Sequence, residues 1–205
     1  MPAKTLDQKV LQELQRAIET DAPALLKPLI DAGVSVNQKI GDYPQTTLLE
    51  LAIEKNAIEV VTFLITAEAN LDKGSFKPLI HAALFNRTEI VIRLLEAGAN
   101  PDVTHSNPDE DERGLTALMY AVDLPEKIEI VKLLLKHNAN PHAATSKGNT
   151  ALYDAVDHEN VEAVKLLLQA GCKPSGPILN GPIFRGTKDS LEMVKLLLTA
   201  GVDLK

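Results

Sequence analysis

Apolar and polar positions alternate along this chain with helical rather than strand spacing. In Ile128, Ile130-Val131 and Leu133-Leu134-Leu135 the apolar positions are interrupted by Glu129 and Lys132, which leaves one solvated stripe. Each such run predicts a helix with a covered face. The runs close on a small turn residue and a short tail: Leu94-Leu95-Glu96-Ala97-Gly98-Ala99-Asn100-Pro101, Leu134-Leu135-Lys136-His137-Asn138-Ala139-Asn140-Pro141 and Leu167-Leu168-Gln169-Ala170-Gly171-Cys172-Lys173-Pro174. Weaker copies end at Gly33, Glu68 and Gly201. The turn positions 33, 68, 98, 138, 171 and 201 are 35, 30, 40, 33 and 30 residues apart, a period of about 33. Upstream of them, Ala17, Ala52, Ala82 and Ala155 each stand 16 residues before their turn; Ala121 stands 17 before Asn138, and Gly186 takes the place 15 before Gly201.

Each unit reads as a short inner helix followed by a second, outer one. Thr47, Thr116 and Thr150 can cap the inner helices by accepting a hydrogen bond from a first-turn N–H, and Pro78 suits a first helical position, where no donor is needed. Gly98 and Gly171 can end the outer helices in the left-handed conformation. A unit of about 33 residues cannot bury its own apolar face, so stacking is obligatory.

Four stretches carry a further signature. Thr47-Leu48-Leu49-Glu50-Leu51-Ala52, Lys77-Pro78-Leu79-Ile80-His81-Ala82, Thr116-Ala117-Leu118-Met119-Tyr120-Ala121 and Thr150-Ala151-Leu152-Tyr153-Asp154-Ala155 resemble the T-P-L-H-x-A motif of the ankyrin-repeat family. The resemblance covers roughly residues 10 to 205 and rests on six aligned copies. It implies an all-α fold, an ankyrin-repeat solenoid of stacked helix-turn-helix units with hairpin-like finger loops. One domain is expected over 1–205, with repeats at about 5–37, 38–72, 73–102, 103–142, 143–175 and 176–205, the first and last degenerate. The family's His is replaced by Glu50, Ile80, Met119 and Tyr153, which implies that the usual tie between neighbouring repeats is missing there.

The ends and joints depart from the period. Thr5-Leu6-Asp7-Gln8 reads as a capping box for a longer first helix, with Leu6, Val10, Leu11 and Leu14 inward. Pro28 falls where later units keep a mid-helix leucine and is expected to kink the second helix. Gly181-Pro182-Ile183-Phe184-Arg185-Gly186 has lost both Thr and Ala, so the last inner helix should be short or irregular. The joint from Thr104 to Gly114 is about six residues longer than the regular one at 141–149, and the joint at Asp72-Lys73-Gly74-Ser75 about three shorter. The segment from Thr104 to Arg113 is expected to be a mobile finger outside the repeat core.

Composition narrows the function. Aromatic residues make up only 3%, and there is no Trp. The net charge of −7 disfavours attraction to a phosphate backbone or an anionic membrane. One cysteine, Cys172, excludes an internal disulfide framework and fits a reducing compartment. The first ten residues lack the apolar core of a signal peptide, and no run approaches the roughly 18 apolar residues of a membrane span. A cytoplasmic monomer is expected.

Chemistry is absent from the sequence patterns. There is no G-x-x-x-x-G-K-[ST] loop, H-E-x-x-H, C-x-x-C or G-x-S-x-G turn. His137 and His142 straddle a turn without a third ligand, and Asp109-Glu110-Asp111-Glu112 lacks the alternating ligands and central Gly of a calcium loop. No enzyme activity, metal or cofactor is expected. The resemblance instead implies a groove lined from the ends of the inner helices: Glu19 and Thr20, Glu54 and Lys55, Leu84 and Phe85, Asp123 and Leu124, Asp157 and His158. With Tyr120 and Asp154 at the neighbouring variable position, the expected partner-binding residues are Leu84, Phe85, Tyr120, Asp123, Leu124, Asp154, Asp157 and His158. The alternative for Leu84 and Phe85 is packing under the shortened joint near Gly74; for Tyr120, filling the gap left by the missing His. The implied function is a protein-protein interaction module, an adaptor, inhibitor or effector, whose partner carries a basic or apolar patch. A ligand- or nucleic-acid-sensing array using exposed aromatics is the alternative, against which low aromatic content and acidic charge weigh.

Overall fold

The computed structural model describes residues 6–40, 46–74, 77–105, 114–174, 178 and 187–201. Its contacts divide the chain into two compact units, Met1–Asn100 and Pro101–Lys205. Both are all-α, built from antiparallel helix pairs in two layers.

In the first unit, α1 (Gln8–Glu19), α3 (Leu48–Lys55) and α5 (Pro78–Leu84) form the inner layer, and α2 (Pro23–Asp31), α4 (Ile58–Thr66) and α6 (Thr88–Glu96) the outer one. A hairpin of β1 (Lys39–Ile40) and β2 (Thr46–Thr47), in the register Lys39 to Thr47, leads into α3. In the second unit a hairpin of β3 (Thr104–His105) and β4 (Leu115–Thr116) leads into α7 (Ala117–Val122). There α7 stacks on α9 (Ala151–Asp157), while α8 (Ile128–Lys136), α10 (Val161–Gln169) and α11 (Lys188–Thr199) form the outer layer.

The capping residues act as their chemistry requires. Thr47, Thr116 and Thr150 accept from the amides of Glu50, Met119 and Tyr153, and α5 opens on Pro78. All six turn positions have positive φ: Gly98 sits at +87°, while Glu68 and Asn138 hold the same left-handed region at +62°. The five aligned alanines are fully buried, because two helices meet closely there and a larger side chain would force them apart. The extra residue between Ala121 and Asn138 is taken up by a 3-10 turn, Pro125–Lys127, which separates α7 from α8.

Several expectations need correction. The first helix starts at Gln8 with Asp7 as its cap, accepting from the Lys9 amide; Thr5, the expected capping residue, lies outside the described residues. Helix α2 carries Pro28, the expected site of a kink, in its interior, and the next turn closes from the Ala32 N–H to the Pro28 carbonyl. The leucine run of α8 buries Leu134 completely and leaves Leu133 and Leu135 half-buried, because three consecutive residues span more than the covered stripe. The long joint does not begin outside the core: Thr104 and His105 pair with β4, and strand alternation turns His105 inward. Residues 106–113, with the acidic run 109–112, lie outside the described residues, as do Ser75 and 181–186.

Two sets of polar ties join successive pairs where the expected histidine is missing. Asn37, Asp72 and Asp102 each stand four residues past a turn. Their side-chain oxygens accept from the amides of Asn70 at 2.8 Å, Asn100 at 3.1 Å and Asn140 at 2.7 Å. His142 occupies this place in the next copy, and there the Cys172 thiol donates to the Pro141 carbonyl at 3.3 Å. The second set sits where inner helix meets outer. Asp21 accepts from Glu59 and Val60, Arg87 donates to the Glu54 carbonyl, and Asn160 donates to that of Val122. Each tie stabilises by about 0.5–1.5 kcal/mol, more where an ionised group takes part.

Candidate functional site

The inner helices are too short to bury their C-terminal turns, so the residues that follow the aligned alanines emerge at the helix ends. In the first unit this brings out Leu84 and Phe85. Leu84 is half-buried and Phe85 is 40% exposed. Phe85 caps α5 through its amide, which donates to the His81 carbonyl at 3.0 Å, and its ring meets the His81 ring edge-on with centroids 4.9 Å apart. The space beneath Gly74 belongs to Glu50, whose buried carboxylate lies so near that a Cβ at position 74 would come within 2.6 Å of it.

Glu50 explains how α3 forgoes the family's His. Its carboxylate accepts from the Thr47 amide at 2.8 Å and hydroxyl at 2.9 Å, completing a capping box on the N-terminus of the helix. Ile80 and Met119 fill the same place as buried apolar groups. Behind Phe85, burial pushes the His81 imidazole below its ordinary value, against the opposing pull of the Glu50 and Glu54 carboxylates.

The second unit brings Tyr120, Asp123, Leu124, Asp154, Asp157 and His158 to the ends of α7 and α9. Leu124 is 44% exposed, Asp157 and His158 are exposed, and Tyr120, Asp123 and Asp154 are half-buried. The 3-10 turn after α7 shapes this region. It buries Lys127, whose ammonium donates to the Tyr120 carbonyl at 2.9 Å and so closes the end of α7. Burial raises the Asp123 carboxyl above its usual value, and the nearby Lys127 and His158 draw it back. His158 is oriented by a bond between Nδ1 and the Asp154 carbonyl at 2.9 Å.

Tyr153 escaped the sequence reading. It occupies the position at which Glu50, Ile80 and Met119 are buried, yet it is 38% exposed. The available signal was its chemistry, an amphipathic aromatic where the aligned copies place groups suited to burial. Cys172 is buried, and burial raises its thiol above the usual range, which suits a structural donor rather than a nucleophile. Among the described residues no group of three or more His, Cys, Asp or Glu side chains could hold a metal ion, and no helix is long and apolar enough to cross a membrane. At the helix ends, Phe85 and Leu124 leave large apolar groups in solvent, and Asp157 is exposed at the end of α9.

The family model for ankyrin repeats, in three copies, matches residues 14–105 and 103–176. A putative ankyrin repeat protein of Rickettsia felis is 33% identical over 148 residues, which is 70% of this chain and 49% of that protein. A putative ankyrin repeat-containing protein of Treponema pallidum is 33% identical over 126 residues, covering 60% and 39%. Inversin of Canis lupus familiaris is 29% identical over 170 residues, covering 80% of this chain and 15% of inversin. The chain thus spans about half the length of the first relative and less of the other two.

Proposed function

The chain belongs to the ankyrin-repeat family, generally a fold for protein-protein interaction, and on that premise we propose that it holds a protein partner at the ends of its inner helices. The observation that carries this reading is the exposure of Phe85 and Leu124 at those ends. Large apolar groups held in solvent by short, well-capped helices contribute contact area to a complex and little to the free fold. In the second unit Asp123 adjoins Leu124 in the chain, and Asp154 and Asp157 lie on α9, which packs against α7; these acids favour a partner presenting basic and apolar side chains together.

The test is affinity capture from the native cell with the intact chain, with Phe85→Ala and with Leu124→Ala, each with and without nuclease. Proteins held by the intact chain, insensitive to nuclease and depleted by either substitution, are the expected result, with melting temperatures nearly unchanged. Retention that both substitutions leave untouched would remove these side chains from the site. Loss of retention on nuclease treatment would transfer the reading to a nucleic-acid-sensing array.

A further inference from the structure

We propose that a cleft in the first unit, between the β1–β2 hairpin and the joint that follows α4, binds a phosphate monoester. The cleft has a volume of about 380 Å³ and is lined by Asn37, Lys39, Thr47, Asn70, Lys73 and Gly74, none of them among the residues that follow the aligned alanines. Lys39 stands opposite Thr47 in the hairpin register, so the two side chains share a face. The joint is tied to the stretch leading into β1 by the bond from the Asn70 amide to Asn37 Oδ1 at 2.8 Å, and Asn70 Oδ1 in turn accepts from the Asp72 amide at 3.1 Å. With both side-chain oxygens engaged by backbone, each asparagine offers its NH2 group. Thr47 is engaged by Glu50: its hydroxyl donates to the carboxylate at 2.9 Å and accepts from the Glu50 amide at 3.2 Å.

The charges decide the ligand. Lys39 and Lys73 are exposed, and among the described residues neither ammonium group makes an ion pair or a hydrogen bond. The neighbouring acids are directed elsewhere. Asp72 Oδ1 accepts from the Asn100 amide, and Glu50, beneath Gly74, accepts from the Thr47 amide and hydroxyl. Two ammonium groups and two carboxamide NH2 groups around one opening favour an oxyanion. A phosphate monoester brings close to two negative charges and three acceptor oxygens, which matches that set, whereas a lone carboxylate would leave one ammonium uncompensated. The repeat itself does not call for these residues. At the corresponding places counted from the turns Gly98 and Asn138 stand Asp102, Thr104 and Ala143, where the first unit has Asn37, Lys39 and Lys73. The basic pair is therefore no part of the repeat pattern, and it stands against an overall charge of −7.

Nuclear magnetic resonance of the full, isotopically labelled chain tests this, with inorganic phosphate, O-phosphoserine and a short phosphoserine peptide each titrated in at constant ionic strength. Saturable shifts should gather at the side-chain NH2 signals of Asn37 and Asn70 and at the backbone amides of Lys39, Lys73 and Gly74. Lys39→Gln and Lys73→Gln should each weaken binding about tenfold, one charge-assisted bond apiece, and together abolish saturation. Melting temperatures should stay unchanged, and Lys147→Gln, which alters an exposed lysine of the second unit, should bind like the intact chain. A peptide held more tightly than free phosphoserine identifies the source as a phosphorylated side chain of a protein; equal affinity identifies it as a free phosphate ester. Three results would overturn the proposal: no saturation with any probe, shifts that survive the double substitution, or a glutamate peptide bound as tightly as its phosphoserine counterpart.

Discussion

Phe85 and Leu134 show how differently two apolar side chains of similar helical origin behave. Leu134 lies fully buried between layers, and truncation to Ala should cost about 2–5 kcal/mol through the cavity left behind. Phe85, open on one side and touching His81 on the other, should cost well under that when truncated, and chemical denaturation of the two variants measures the gap. Equal losses would place Phe85 in the core. Leu133, half-buried, should fall between them. His81 supplies a pH dependence whose sign follows from its burial. The folded state holds its imidazole below the ordinary value, so the unfolded chain binds the proton first as pH falls. The associated stability is present above the ordinary imidazole range and is lost as pH drops through the folded value. Melting temperatures measured from pH 8 downward should therefore fall through the weakly acidic range, and His81→Gln should flatten that fall.

At the scale of the element, the turns and ties are open to direct test. Glu68 and Asn138 hold a left-handed conformation that costs a residue with a Cβ roughly 1 kcal/mol, where the aligned turns use glycine. Glu68→Gly should raise the melting temperature slightly, part of the gain being offset by the greater freedom of glycine in the unfolded chain. Asp102→Ala should lower stability by about 1–3 kcal/mol, because the bond to the Asn140 amide is charge-assisted and its loss leaves that donor to water. Amide exchange at Asn140 should accelerate with it; an unchanged rate would show that the tie contributes nothing to that joint. Elements were the most legible feature of the sequence, since threonine caps, the first-turn proline and the left-handed turns act through bonds within a few residues. The 3-10 turn at Pro125–Lys127 was visible only as a spacing of 17 in place of 16, and the ties were not visible at all. An Asp or Asn four residues past a turn reads as ordinary loop chemistry until the next repeat brings an amide to it.

For the whole molecule, the irregular joint after Thr104 gives the test with most reach. Shortening 106–113 to a regular hairpin should leave the melting temperature nearly unchanged, whereas His105→Ala, which opens a buried position in β3, should lower it. A large fall on shortening would show that this stretch is packed. The sequence by itself determined the repeating unit, its period, its helix starts and stops and the aliphatic core, because each follows from periodicity and from chemistry local to a turn. It also named which residues follow the aligned alanines. Only the tertiary structure decided which of those stand in solvent: Phe85 and Leu124 emerge, while Leu84 and Tyr120 are half-covered. The same holds for Tyr153, exposed where Glu50, Ile80 and Met119 are buried, and for Leu191 and Leu198, which in sequence repeat the pattern of covered positions. The reason is physical. A helical pattern records which face of a segment is apolar, but exposure depends on whether another element arrives to cover that face, and this is settled by contacts between residues some thirty positions apart.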